Sequence, residues 1–448
     1  MQKSLDRKLA AIHADPSGSR EFILADAKDA DMAFGIGAPG KSPEAHAGET
    51  RFRTLAEYRE QIRQIIDQGL VDIMLMSAST SDVLTIAEGR FANSAITPAA
   101  RANDTSDVFV VRGGKYLESP AQPFRSALLD HIQCGHIDCQ PNERVLGANL
   151  GLYSVTFNNR LEDDLRSLEE YRTFRVEAER KGFRHFLELF DPNAPAGLSA
   201  DQIPGFINDH VARTLAGVAQ AGRPVFLKMV YHGPRAMEEL VAYDPHLVVG
   251  ILGGGAGTTY DAFKLLGEAK KYGARAALFG RKINGAECQL AFVEFLRLIA
   301  DGQLEPEEAV RAYHGVLQRL KIRPQRSLAE DMELRTGVMS YGGSSSATVP
   351  ALPIASQSAA HSTASSPAVP NTLGPITKAG AVKKDCGCGC GGKPKGCGKG
   401  TTLEATTPAP AKTSPYPTKA DGQPDFARMT VAQKVAWNRA ERDRIFGF

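Results

Sequence analysis

Short apolar runs recur along the first three-quarters of the chain. Between most of them, apolar residues return every three or four positions. The runs fall at residues 22–26, 72–77, 95–101, 145–157, 183–190, 224–231, 247–252 and 274–280, which predicts strands. The intervening pattern predicts helices over 54–68, 161–181, 203–220, 235–242 and 258–272. Strands alternating with helices imply an α/β fold with a parallel sheet and crossover helices. Eight such units in about 300 residues fit a closed (β/α)8 TIM barrel. A doubly wound open sheet is the alternative. It would carry G-x-G-x-x-G after its first strand, and none follows Asp26. Residues 103–142 fit the repeat least well, and 108–111 are a candidate additional strand.

The pattern changes near Gly337. From about residue 342 to 421 the chain is rich in Ser, Ala, Thr, Pro, Gly and Lys, with almost no aromatic residues. Such a segment cannot bury enough apolar surface to offset its ordering entropy. The expected organisation is therefore a barrel over 1–336, a disordered linker over 337–424, and an amphipathic helix over 425–448. Thr430 is the candidate N-cap of that helix. Val431, Val435 and Trp437 are its apolar anchors, and Arg439, Arg442 and Arg444 its basic face. A helix on a long tether suits recruitment by a protein partner, or folding back on its own barrel or a sister subunit.

Composition excludes several classes. Lys+Arg number 53 against Asp+Glu 51, so nothing in the net charge points to nucleic acid. No run approaches the about 18 apolar residues of a membrane span. The first residues lack the apolar core of a secretion signal, so the expected compartment is the cytoplasm. A homo-oligomer is the expected state. Seven cysteines are split between three scattered ones (Cys134, Cys139, Cys288) and four in the tail, which is no secreted disulfide framework. The tail group, Cys386, Cys388, Cys390 and Cys397, lies among lysines that lower thiol pKa, and thiolates bind soft metals. Its spacing is not the paired C-x-x-C of structural zinc, and a tail with reactive thiols explains it equally well.

The clearest chemistry follows the last two strands. Gly253-Gly254-Gly255-Ala256-Gly257-Thr258-Thr259 leads into a helix, and Gly280-Arg281 follows Ala276-Ala277-Leu278-Phe279. Glycines let backbone N–H groups approach an anion, and a helix N-terminus adds partial positive charge. Barrels often hold a phosphate between these two loops. A glycine-rich turn also serves geometry alone. Lys228 stands inside Val225-Phe226-Leu227-Lys228-Met229-Val230-Tyr231. A lysine in an apolar strand is costly unless paired or functional. With apolar neighbours its amine would be neutral and ready for Schiff-base chemistry; with a barrel carboxylate it would form a buried ion pair. Other strand ends carry Asp26, Lys28, Asp29 and Asp31, then Arg101, Asn103 and Asp104, then Glu188 and Asp191.

Lys228-Met-Val-Tyr-His-Gly, then Gly-Gly-Gly-Ala-Gly-Thr-Thr-Tyr-Asp-Ala-Phe, then Ala-Leu-Phe-Gly-Arg-Lys-Ile resembles the class I aldolases of the DhnA, DeoC and LacD type. The resemblance runs from about residue 21 to 324 and is closest from Pro224 onward. It implies Lys228 as the Schiff-base residue, Asp26 as the first-strand acid, and Gly254, Gly255, Gly280 and Arg281 as the phosphate site; Gly253 and Arg101 are further candidate substrate or phosphate contacts. It implies a phosphorylated keto-sugar or related carbonyl substrate and no cofactor for the barrel chemistry. Archaeal-type fructose-bisphosphate aldolases place a proton-transfer tyrosine at the end of strand five. Here that region reads Glu188-Leu189-Phe190-Asp191-Pro192, so Glu188, or Tyr153 from strand four, would substitute. The competing reading is a non-catalytic phosphosugar-binding barrel brought to an assembly by its tail.

Overall fold

A computed structural model describes residues 1–40, 52–109, 111, 114–255 and 257–336, with short pieces at 338–340, 346–348, 416–419, 425, 428–430 and 433. Eight parallel strands close into a barrel: β1 (Ile23–Lys28), β2 (Ile73–Met76), β3 (Thr97–Arg101), β4 (Leu150–Thr156), β5 (Arg184–Phe190), β6 (Leu227–Met229), β7 (Val249–Leu252) and β8 (Ala276–Phe279). They lie in sequence order around the ring, and β8 closes it by pairing with β1 through Ile23 to Ala276 and Asp26 to Phe279. All eight predicted strands are present. The fourth was drawn too long, because Val145 and Leu146 are exposed in the turn before Leu150.

Helices α1 (Ser4–Ala14), α2 (Leu55–Gln68), α3 (Leu129–Cys134), α4 (Leu161–Arg180), α5 (Ile203–Ala216), α6 (Pro234–Tyr243), α7 (Thr259–Lys271), α8 (Gln289–Ala300) and α9 (Pro306–Arg319) accompany the strands, with shorter turns between. Residues 108, 109 and 111 belong to no strand. Val108 and Phe109 turn back on the Thr105 carbonyl, and the strand content of the insertion between β3 and β4, among the described residues, is an antiparallel pair, Asp104–Thr105 with Pro123–Phe124. The predicted linker and C-terminal helix fall almost wholly outside the described residues, as does the tail cysteine group.

Side chains alternate along each strand, so the barrel has two apolar layers. Ile23, Ala25 and Ala27 point inward with Ile73, Leu75, Ala99, Leu152, Phe186, Phe226 and Leu278. Leu24, Met74, Ala100, Tyr153, Leu187 and Phe279 point outward against the helices. Helix α1 joins the inner layer. Its Leu5, Leu9 and Ile12, spaced by four and three, bury among the inner residues, each contributing about 1.5–3 kcal/mol. Lys8 ties the helix to the start of β1 and β2 through the Phe22 carbonyl and Asp72, each at 2.8 Å. The end of the barrel at which the strands begin is thereby closed, and the C-terminal ends of the strands form the other mouth.

Candidate active site

The inner layer is apolar until its last tier. There Arg101 of β3, Ser154 of β4, Glu188 of β5 and Lys228 of β6 take the inward positions, all at most 1% exposed. Register places Ser154 beside Glu188 and Glu188 beside Lys228. Lys228 Nζ lies 2.5 Å from Glu188 Oε1, while Ser154 Oγ donates to Glu188 Oε2 at 2.7 Å. Arg101 is the hub. Its Nε donates to Asp29 at 2.6 Å, Nη1 to Ser154 Oγ at 3.1 Å, and Nη2 reaches Glu188 Oε2 at 3.5 Å. Lys228 thus faces an anion rather than apolar walls, as the ion-pair alternative expected. Nearby, burial pushes the Asp104 carboxyl up to about 6 against the pull of Arg101.

A cleft opens above this tier. Its walls include Ala27, Asp29, Phe34, Lys228, Gly253, Gly254, Gly280 and Arg281. Lys228 and the two glycine-rich loops therefore share one space. The glycines also answer a packing demand: a Cβ on Gly253 would meet the Phe279 ring at 2.1 Å, and one on Gly280 the Ala27 carbonyl at 2.4 Å. Gly254 holds φ +59°. Arg281 lies across Gly255 and over the Phe34 ring, with 5.8 Å from guanidinium to centroid.

The N-terminus of α7 departs from the expected anion site. Thr259 N–H donates to Asp331 Oδ1 at 2.8 Å, and Thr258 forms a capping box with Asp261. The chain beyond α9 crosses this turn: Thr258 Oγ1 donates to the Glu333 carbonyl at 2.8 Å, and the Arg335 and Thr336 N–H groups donate to Asp261. Lys282 donates to the Gly257 and Thr258 carbonyls, and burial lowers its ammonium to about 8. The protein's own carboxylates cap this helix, which leaves the glycine backbone and Arg281 to face the cleft.

Two expected residues sit elsewhere. Asp26 has the parity of Leu24, not of Ala25 and Ala27, and points out of the barrel. Its carboxylate lies 3.5 Å from Lys28 Nζ, which bonds Asn284 and Gln289 and approaches the Tyr58 ring. Burial pushes Asp26 up to about 6, with Lys28 opposing, and lowers the Lys28 ammonium. The first-strand carboxylate that reaches the cleft is Asp29. Tyr153 also points outward, stacked on Phe174 at 4.4 Å. Arg101 does not line the cleft; its guanidinium bonds Asp29, which does, together with Ser154 and Glu188 behind it. Ser154 and Asn103 were not anticipated in their roles; Asn103 bridges to β4 through the Ser154 N–H at 2.6 Å and carbonyl at 2.8 Å. A separate buried pair, His232 Nε2 with Asp191 Oδ1 at 2.8 Å, closes the ends of β6 and β5.

These features define a closed (β/α)8 barrel with a carboxylate-paired lysine at its C-terminal mouth. Among solved structures the chain is similar to an archaeal fructose 1,6-bisphosphate aldolase, at 13% identity over 67% of this chain and 100% of that one, TM-score 0.47. It is similar to a Schiff-base-forming fructose-1,6-bisphosphate aldolase at 14% identity, over 67% and 100%, TM-score 0.47. A fructose-bisphosphate aldolase from Slackia heliotrinireducens DSM 20476 shares 12% identity over 70% and 91%, TM-score 0.48. No protein-family model matches the chain, and no curated protein matches it by sequence. Among the described residues no helix is long and apolar enough to cross a membrane.

Proposed function

We propose that the chain is a Schiff-base aldolase that breaks or forms a C–C bond in a phosphorylated keto-sugar or related phosphorylated carbonyl compound. The observation that supports this most directly is the placement of Lys228, 2.5 Å from Glu188, on the wall of the cleft that Gly253, Gly254, Gly280 and Arg281 also line. A lysine must lose its proton before it attacks a carbonyl, and Glu188 is the acceptor within reach. Arg101 and Ser154 hold that carboxylate in place. The Lys228 amine adds to the substrate carbonyl, and the carbinolamine loses water to give an iminium. The iminium takes the electron pair of the breaking C–C bond. The proton of the substrate hydroxyl passes to a carboxylate, Glu188 or Asp29, as an aldehyde departs. The enamine left behind is reprotonated, and water releases the ketone from the lysine.

The phosphate would lie against the glycine loops, with Arg281 as its cationic contact. Borohydride reduction in the presence of fructose 1,6-bisphosphate or dihydroxyacetone phosphate tests the reading. The expected result is a mass increase of one reduced substrate, located on Lys228 by peptide mapping and absent from Lys228→Met. Absence of an adduct with every phosphorylated ketose or aldehyde tried, under conditions where the cleft binds phosphate, would leave a binding barrel rather than an aldolase.

A further inference from the structure

Far from this chemistry, the loop from α3 to β4 gathers two cysteines and a glutamate, with a histidine beside them. Cys134 ends α3, Gly135 turns the chain at φ +87°, and Asp138 adopts φ +61°. These turns bring Cys139 back to Cys134, with their Cα atoms 6.0 Å apart and the two joined as a disulfide. The Glu143 carboxylate lies with both sulfurs inside a 4.8 Å span. His136 stands beside this group, with Nε2 3.3 Å from Glu143 Oε1. The other nitrogen, Nδ1, sits 2.9 Å from the Ile137 carbonyl. A carbonyl accepts from a donor, so Nδ1 carries a proton, and Nε2 faces the Glu143 carboxylate as a second donor until a metal replaces that proton. A second-layer carbonyl orients metal-binding histidines in the same way. Both ends of the loop are fixed, since Gly147 and Ala148 N–H donate to the Gln133 and Ile132 carbonyls at 2.8 and 3.0 Å.

We propose that this loop, in its dithiol form, is a zinc-class metal site held by Cys134 Sγ, Cys139 Sγ, His136 Nε2 and Glu143 Oε1, and that disulfide formation abolishes it. Two thiolates, an imidazole and a carboxylate are a donor set that suits tetrahedral Zn²⁺. A bonded pair of sulfurs has no thiolate to offer, so metal and disulfide exclude each other. Reduction by a water-soluble phosphine balances as phosphine plus disulfide plus water giving phosphine oxide plus two thiols. Metal binding then displaces the two thiol protons and the His136 Nε2 proton. The loop enters β4 at its first residues, at the mouth opposite Lys228, so the ion would brace the barrel and take no part in the aldol step.

The test uses the full chain with Cys386, Cys388, Cys390 and Cys397 replaced by Ser, so that only barrel thiols remain. After phosphine reduction, Co²⁺ should bind one equivalent with tetrahedral d–d bands and a thiolate charge-transfer band, and Zn²⁺ should displace it. The oxidised protein should show neither. Cys134→Ser and Cys139→Ser should remove the charge-transfer band. Glu143→Gln, which leaves both thiols and the helix intact, should weaken Zn²⁺ in competition with a chromophoric chelator. Overturning results are a reduced protein that takes up no Co²⁺ while its circular dichroism is native, binding that survives loss of both cysteines, or affinity unchanged in Glu143→Gln and His136→Ala together.

Discussion

Replacing Lys228 by Met separates the stability of the buried network from its chemistry. The substitution removes one cation but leaves Glu188 with Ser154 Oγ at 2.7 Å and Arg101 at 3.5 Å. The stranded anion keeps a charged partner and a hydroxyl donor, and Met fills most of the lysine's volume. Removing the carboxylate is different. Glu188→Gln puts a neutral amide beside the Lys228 ammonium, while Arg101 keeps Asp29 and Asp104. Stranding a buried charge costs about 3–5 kcal/mol, and the retained pairing in Lys228→Met should hold its cost to about half of that or less. For a domain of this size each kcal/mol shifts Tm by roughly 2 °C. Lys228→Met should therefore melt a few degrees below wild type, and Glu188→Gln further below still. Thermal unfolding followed by circular dichroism gives the first quantity, and the borohydride adduct mass gives the second. Lys228→Met should form no adduct despite a native spectrum. The reasoning fails if Lys228→Met forms the adduct or cleaves substrate. The network account fails if Lys228→Met is the less stable of the two.

Three further outcomes follow from the geometry. Arg281→Ala should raise KM for a phosphorylated substrate far more than it lowers kcat, because a grip on a remote phosphate serves ground and transition states alike; steady-state kinetics with sulfate as competitor checks this, and a pure kcat effect contradicts it. Asp107 is wholly buried, and burial raises its folded pKa from 3.8 to about 6 while Thr156 Oγ1 donates to it at 3.0 Å. A raised folded pKa contributes stability that is full below pH 4 and is lost as pH climbs through 6, a change of about 3 kcal/mol. Asp107→Asn should flatten that loss and raise Tm at pH 8; an unchanged Tm there contradicts it. Asp331→Ala strips the Thr259 N–H and His314 of their carboxylate and should cost about 1–3 kcal/mol while raising KM for phosphorylated substrate, which calorimetry and kinetics read separately.

The barrel was legible because each strand is a short apolar run, and Lys228 was legible because a charge interrupts one. The inward or outward sense of each residue was not. Every residue of β1 is buried, so the alternation of Asp26 and Lys28 with Ala25 and Ala27 does not say which set faces the lumen. Asp26 and Asp29 are equally plausible acids until the neighbouring strands establish that Ala25 and Ala27 face the lumen. The same ambiguity hid the outward sense of Tyr153. For Arg101 and Glu188 parity is only half the answer, since their contacts join β1, β3, β4 and β5, which no local pattern connects. Helix α1 carried a readable signal in the spacing of Leu5, Leu9 and Ile12, but nothing local marks it as a plug. The Asp331 cap lies 72 positions from Thr259, a distance no local motif spans.

Residues 327–336 have a consequence for how the chain can be shortened. Their carboxylate, carbonyl and N–H groups hold the turn that carries Gly257 and Thr258, so this stretch doubles as a clasp on the cleft wall. Trimming from the C-terminal side therefore meets binding before it meets folding. A cut after Thr336 preserves the clasp, whereas a cut after Arg326 removes Asp331 and opens the N-terminus of α7 to water, with every barrel strand still in place.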